Sequence, residues 1–127
     1  MLTSPALTDG AKLIGRILLA LMFVLGGYSK IGGYAGTQAY MASAGVPGAL
    51  LPLVIITELL GGLLIVVGYK TRLVALALAG FTLIAGLLFH MAPDPVQKIM
   101  FMKNLAITGG FLVLFASGPG RWSLDRG

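Results

Sequence analysis

Four long apolar blocks, at roughly 12–30, 49–69, 72–91 and 99–117, take up most of this 127-residue chain. Each approaches the ~20 residues that a helix needs to cross a ~30 Å hydrocarbon layer. Lipid offers no partner for backbone N–H and C=O groups, so an apolar run of this length crosses it as a helix. The pattern therefore predicts an all-α integral membrane protein, a four-helix transmembrane bundle forming one domain over residues 1–127. Composition agrees, with 57% hydrophobic and only 10% charged residues, against ~25% charged in a typical soluble domain. The remainder is a short tail at each end, a first loop of about twenty residues and two tight turns, too little for an extramembrane domain. Any chemistry is expected in or beside the membrane, or on a partner.

The net charge of +5 does not point to nucleic acid, because the nine Lys and Arg sit at span ends and form no basic face. With the N-terminus inside, the inner segments hold Lys12, Arg16, Lys70, Arg72, Arg121 and Arg126, and the outer ones Lys30, Lys98 and Lys103. The positive-inside rule then puts both termini in the cytoplasm. Arg16 reads as an anchor that snorkels to the cytoplasmic face, and Arg121 with Trp122 as an interfacial anchor. Lys12 and Arg16 ahead of Ile17–Leu25 have the look of a signal peptide. Tyr28-Ser29-Lys30 follows in place of a small-residue cleavage site, which makes the segment a first span. The chain has no cysteine, which excludes thiol relays and thiolate metal sites. One histidine and four carboxylates supply neither a bis-His haem site nor a zinc or iron site, so no metal is expected.

Locally, Thr8 or Asp9 is expected to cap the first helix. Thr37 to Ala44 reads as a short helix on the outer surface, with Tyr34 and Tyr40 suited to the interface. The turn Tyr69-Lys70-Thr71-Arg72 serves only antiparallel neighbours, so the second and third spans should pack together. Ala92-Pro93-Asp94-Pro95 breaks the third span from the fourth, since proline neither donates a hydrogen bond nor tolerates a helical residue before it. The pairs Gly26-Gly27, Gly61-Gly62 and Gly109-Gly110 should mark helix contacts, because small residues let helices approach closely in lipid.

The most informative residue is Glu58, about nine residues into the second span and so roughly 13 Å below the outer surface. A carboxylate at that depth costs about 2.5–3.5 kcal/mol and should face the bundle, paired or protonated. Lys30, His90 and Lys103 with Asn104 fall at the same end of their spans. Each shares a helical stripe with a glycine, which turns it inward. Lys103 or Lys30 is the natural counter-ion for Glu58, and His90 is the side chain whose ordinary pKa lies nearest neutrality. Glu58, Lys103, Asn104, His90 and Lys30 could together form a proton-active pocket for a quinone headgroup, and equally for a lipid or a small polar solute. The bland reading is an ion pair that holds helices in register, with Lys30 snorkelling to the headgroups.

Several pieces in order resemble the DoxX family of membrane proteins: Arg16 to Phe23 leading to Gly27-Tyr28-Ser29-Lys30, then Glu58-Leu59-Leu60-Gly61-Gly62 with Gly68 and Thr71-Arg72. Lys103-Asn104-Leu105-Ala106 with Gly109-Gly110 follows, and the tail Gly118 to Asp125 completes the likeness. It runs from about Lys12 to Asp125. It implies a four-helix bundle in the bacterial inner membrane and, for the namesake relatives, the membrane subunit of a thiosulfate:quinone oxidoreductase. It places the family's intramembrane acid at Glu58, its lysine–asparagine pair at Lys103 and Asn104, and its first-helix lysine at Lys30. The sulfur-oxidising enzyme needs a second subunit that this chain lacks. The expectation is therefore a redox-associated membrane subunit working with a redox partner protein, as a monomer or a homo-oligomer, with no catalytic residue assigned. No cofactor motif lies within the chain, so electrons must come from elsewhere. The rival readings are a proton-coupled small-molecule transporter, which buried lysines disfavour, and a purely structural membrane partner.

Overall fold

The computed structural model describes residues 4–91 and 93–125. Ala92 of the inter-span break and Arg126 of the charge count lie outside them. Among these residues five α-helices occur in order: α1 (Pro5–Gly32), α2 (Tyr34–Ser43), α3 (Leu51–Val67), α4 (Thr71–Phe89) and α5 (Pro95–Ser117). A 3-10 turn, Gly48–Leu50, leads into α3. Helices α1, α3 with its leading turn, α4 and α5 are each long and apolar enough to span a bilayer, and the short outer helix expected near Thr37 is α2.

The spans begin where local chemistry stops the chain from starting elsewhere. For α1 the cap is Ser4, whose hydroxyl accepts from Leu7 N at 3.1 Å, with Pro5 at the first helical position. The expected cap at Thr8 or Asp9 is thereby overturned: a Ser-Pro pair is a complete start signal, since proline's fixed φ suits the first turn and its missing N–H is not needed there. Asp94 caps α5 in the same way, accepting from Val96 N at 2.8 Å ahead of Pro95. At the other junction Gly68 takes the left-handed conformation, φ 72°, that closes α3.

Buried positions on α1 fall at Arg16, Ala20, Phe23 and Gly27, alternating four and three residues apart, which draws one stripe down the helix. That stripe meets α3. A Cβ on Gly27 would lie 2.8 Å from Leu59 Cγ and 3.2 Å from its backbone N. One on Gly62 would lie 2.8 Å from Val24 Cγ2 and 3.3 Å from Ala20 O. The most extensive interfaces pair α1 with α3 and α4 with α5; α3 and α4, joined by the tight turn, do pack, but less closely. Gly61 fits against Leu78 of α4, and Gly110 against Leu19 of α1, whereas Gly109 faces open space and marks no contact. The core is Ala20, Phe23, Ile65, Ala75, Leu78, Ala79, Phe111 and Leu114, with Phe23 meeting Phe81 and Phe111 edge-on. In the apolar 18-residue stretch of each span only 22% to 33% of the residues are buried, so most of these residues keep surface exposed, an arrangement that suits lipid and not water.

Arg16 departs from its expected role. It lies about three turns into α1 because the helix starts at Pro5, and it is 1% exposed. Its guanidinium donates to Ile65 O at 2.9 Å, Val66 O at 2.8 Å and Trp122 O. It thus serves as a cation at the C-terminus of α3, where the last carbonyls lack helical partners. The tail beyond α5 folds back beneath the α3–α4 turn. Leu124 and Asp125 donate their N–H groups to Val67 O and Gly68 O at 3.0 and 2.8 Å. The Asp125 carboxylate accepts from Lys70 N at 2.8 Å and Thr71 N at 2.6 Å, capping α4. A Cβ on Gly68 would lie 2.2 Å from Ser123 Cβ, so only glycine admits the tail.

Replacing Arg16 by Met leaves three carbonyls without their donor, and should destabilise the folded bundle by roughly 2–4 kcal/mol, read as earlier loss of helical circular dichroism on SDS titration. Asp125 should give a pH signature. Burial alone pushes its carboxyl up, but the N–H groups of Thr71 and Lys70 and the Arg16 charge outweigh that and hold it below the ordinary value. A lowered folded pKa stabilises above the unfolded value of about 3.9 and is lost as pH falls through the folded one. In thermal unfolding, wild type should therefore exceed Asp125→Asn by a margin that is full at neutral pH and closes below about pH 4.

Candidate functional site

At the end of the bundle away from the tail, residues of all four spans line a cavity of about 520 Å³. The aromatic core forms its floor, since Phe23 and Phe81 belong to both core and cavity wall. Helix α2 forms its roof. Tyr40 stacks on Phe89 with ring centroids 5.4 Å apart, and Gln38 Nε2 donates to Gly48 O at 3.1 Å, tying α2 to the ends of α4 and of the turn before α3. Met41 is buried beneath it, and Thr37, Tyr40 and Met41 all line the cavity.

The structure brings Lys30, Glu58, His90, Lys103 and Asn104 to this one cavity. Of the two candidate counter-ions, Lys30 takes the role: its Nζ lies 2.7 Å from Glu58 Oε1, with the lysine side chain 29% and the glutamate 9% exposed. Helix spacing explains the meeting. Lys30 continues the α1 stripe three residues past Gly27, and a Cβ on Gly26 would lie 3.3 Å from Glu58 Oε2, so glycine leaves the carboxylate its space. Lys103 makes a different contact, running back along its own helix to Met100 Sδ at 3.8 Å. That direction is the usual one, because helical side chains tilt toward the N-terminus.

Asn104 is buried and donates through Nδ2 to Thr82 O at 3.1 Å. It fits because position 86 is glycine, whose Cβ would lie 3.2 Å from the asparagine side chain. His90 ends α4 and places Nδ1 2.7 Å from Gln97 Oε1, which joins the end of one helix to the start of the next. Thr82 was not singled out from the sequence. It is 4% exposed, lines the cavity, and its hydroxyl has no hydrogen-bond partner among the described residues. Its spacing of four from Gly86, itself four from His90, was the available signal.

Chemically, the cavity offers a long apolar wall and, on that wall, a neutralised carboxylate–ammonium pair, a second ammonium, a buried amide and an imidazole. Among the described residues no cluster of three or more His, Cys, Asp or Glu could hold a metal ion.

The model of the family described as DoxX matches residues 11–91, which takes in Lys30, Glu58 and His90 and stops before Lys103. Inner membrane protein YqjF of Escherichia coli (strain K12) is 53% identical over 121 residues, 94% of this chain and 93% of that protein. Inner membrane protein YphA of the same organism is 40% identical, covering 90% and 87% of the two chains. The Bacillus subtilis (strain 168) protein named "Putative oxidoreductase CatD" is 33% identical, covering 80% and 82%. No solved structure matches.

The Lys30–Glu58 pair should behave as one energetic unit. In a double-mutant cycle of Lys30→Met and Glu58→Gln, read by SDS unfolding, the coupling should reach about 1–3 kcal/mol. Additive effects would show that the two groups do not depend on each other.

Proposed function

The chain belongs to the DoxX family, and from that premise we propose a small multi-pass protein of the bacterial inner membrane that binds a quinone or similar amphiphile in the Lys30, Glu58, His90, Lys103 and Asn104 pocket, in the service of a redox partner. Two of its relatives bear the name inner membrane protein and a third an oxidoreductase name, which supports both halves of the reading. The observation that carries it is the cavity itself. At about 520 Å³ it falls within the ~300–1,000 Å³ of small-molecule sites, and like them it is mostly apolar with a few converging polar groups.

In this reading each polar side chain has a task. Lys103 and Asn104 donate to the oxygens of the bound headgroup. His90, at the end of α4 beneath the roof, passes protons between the pocket and the outer surface. The Lys30–Glu58 pair keeps a charged, proton-accepting group inside the bundle at low cost, because each ion offsets the other. Phe23 and Phe81 hold the apolar body. Electrons come from a partner, since the chain carries no cofactor motif. Proton-coupled export of a cation through Glu58 is the weaker alternative, because the incoming cation would have to displace Lys30 from a 2.7 Å contact.

Mass spectrometry of small molecules co-extracted in mild detergent tests the proposal. A quinone should accompany the wild-type protein and be depleted at least about tenfold in both Glu58→Gln and Lys103→Ala, the loss expected when one charged hydrogen bond goes. Its absence from wild type, or equal amounts in all three, would overturn the quinone reading.

A further inference from the structure

The chain has four carboxylates, Asp9, Glu58, Asp94 and Asp125, and the structure commits every one. Asp9 accepts from Arg121 N, Asp94 caps α5, Asp125 caps α4, and Glu58 is paired with Lys30. Among the described residues no carboxylate lies within 4 Å of the Lys103 ammonium. Among the described residues its hydrogen-bond partner is the Met100 thioether at 3.8 Å, a weak acceptor. The pocket therefore holds two lysines against one glutamate, with the unmatched positive charge in a cavity that Met22, Phe23, Phe81 and Ile107 also line. An ammonium in apolar surroundings needs an anion or strong acceptors. Two further hydrogen-bonding groups line the same cavity: the Asn104 amide, one helical position on, and the hydroxyl of Thr82, unpartnered among the described residues, whose own carbonyl holds that amide.

We propose that this pocket selects an amphiphile whose head carries a single negative oxyanion, seated on Lys103 Nζ and flanked by Asn104 and Thr82, with its apolar body against Phe23 and Phe81. This rests on the pocket assigned above and sharpens it, because a neutral quinone would leave the Lys103 charge unmatched. The oxyanion has two sources, a free single-chain carboxylate or the headgroup of an anionic bilayer lipid.

The test uses the full chain in nanodiscs of zwitterionic phosphatidylcholine. Binding of dodecanoate, of dodecanol and of a short-tailed ubiquinone is measured for wild type, Lys103→Gln and Lys103→Arg. Dodecanoate should bind wild type at least about tenfold more tightly than dodecanol. Lys103→Gln should abolish that preference and Lys103→Arg, which keeps the charge, should retain it; the arginine variant separates loss of charge from loss of fold. Phosphatidylglycerol added to the nanodisc should compete if lipid is the natural source, and leave dodecanoate binding unchanged if a free carboxylate is. Equal affinity for dodecanoate and dodecanol, or a preference that survives in Lys103→Gln, overturns the proposal. Ubiquinone binding without any anion preference overturns this inference and leaves the quinone reading standing. Anion preference without ubiquinone binding does the reverse, and binding of none of the three overturns both.

Discussion

Everything in this bundle depends on how closely α1 approaches α3. Lipid supplies no hydrophobic force between helices, so contact has to come from backbone proximity and from polar groups that find partners only inside the protein. Gly27 and Gly62 provide the proximity, each standing where a methyl group would strike the other helix. Charged contacts then fasten the pair at two levels. Arg16 holds the terminal carbonyls of α3, and Lys30 holds Glu58 midway along it. Arg16 and Lys30 are two heptads apart on a stripe that keeps one face, so a single edge of α1 carries both fastenings with the core residues Ala20 and Phe23 between them.

The two ends use the same kind of group differently. At the tail end the guanidinium is surrounded by carbonyls and the space is filled by Pro119 and Ser123, with Gly118 to Gly120 buried. At the other end α2 and the four spans enclose a cavity without filling it, which leaves room for a guest. A charge enclosed by its own chain is structural. Lys103, whose hydrogen bond among the described residues is to a thioether, lines the open cavity instead.

Much of this was legible beforehand, for reasons that can be named. Span number and type follow from apolar length, and the inward direction of Glu58 and Lys30 from their spacing to glycines on a regular helix. These are local properties. What escaped was non-local or hidden by competing local signals. Arg16 near the start of an apolar run has the pattern of a snorkelling anchor, and only the return of the tail 106 residues later makes it a buried cap. Thr8 and Asp9 are good capping residues that were overruled by Ser4-Pro5. Lys30 and Lys103 are equal candidates for Glu58 by depth alone, and the close approach of α1 to α3 together with the turn of Lys103 back toward Met100 decides for Lys30. The sequence shows a short helix on the outer surface near Thr37 but not its place over the pocket, because the stacking of Tyr40 on Phe89 joins residues that no periodicity connects.

The fold-back of the tail also imposes an order on biogenesis. Arg16 leaves the ribosome long before Trp122, so the first span must enter the membrane with its guanidinium still lacking one acceptor and, until α3 is made, lacking all three. The amino end of α4 likewise waits for Asp125. Insertion of the four spans and closure of the bundle are thus separate events, and the second becomes possible only after the segment beyond α5 has been released on the side where the first span began.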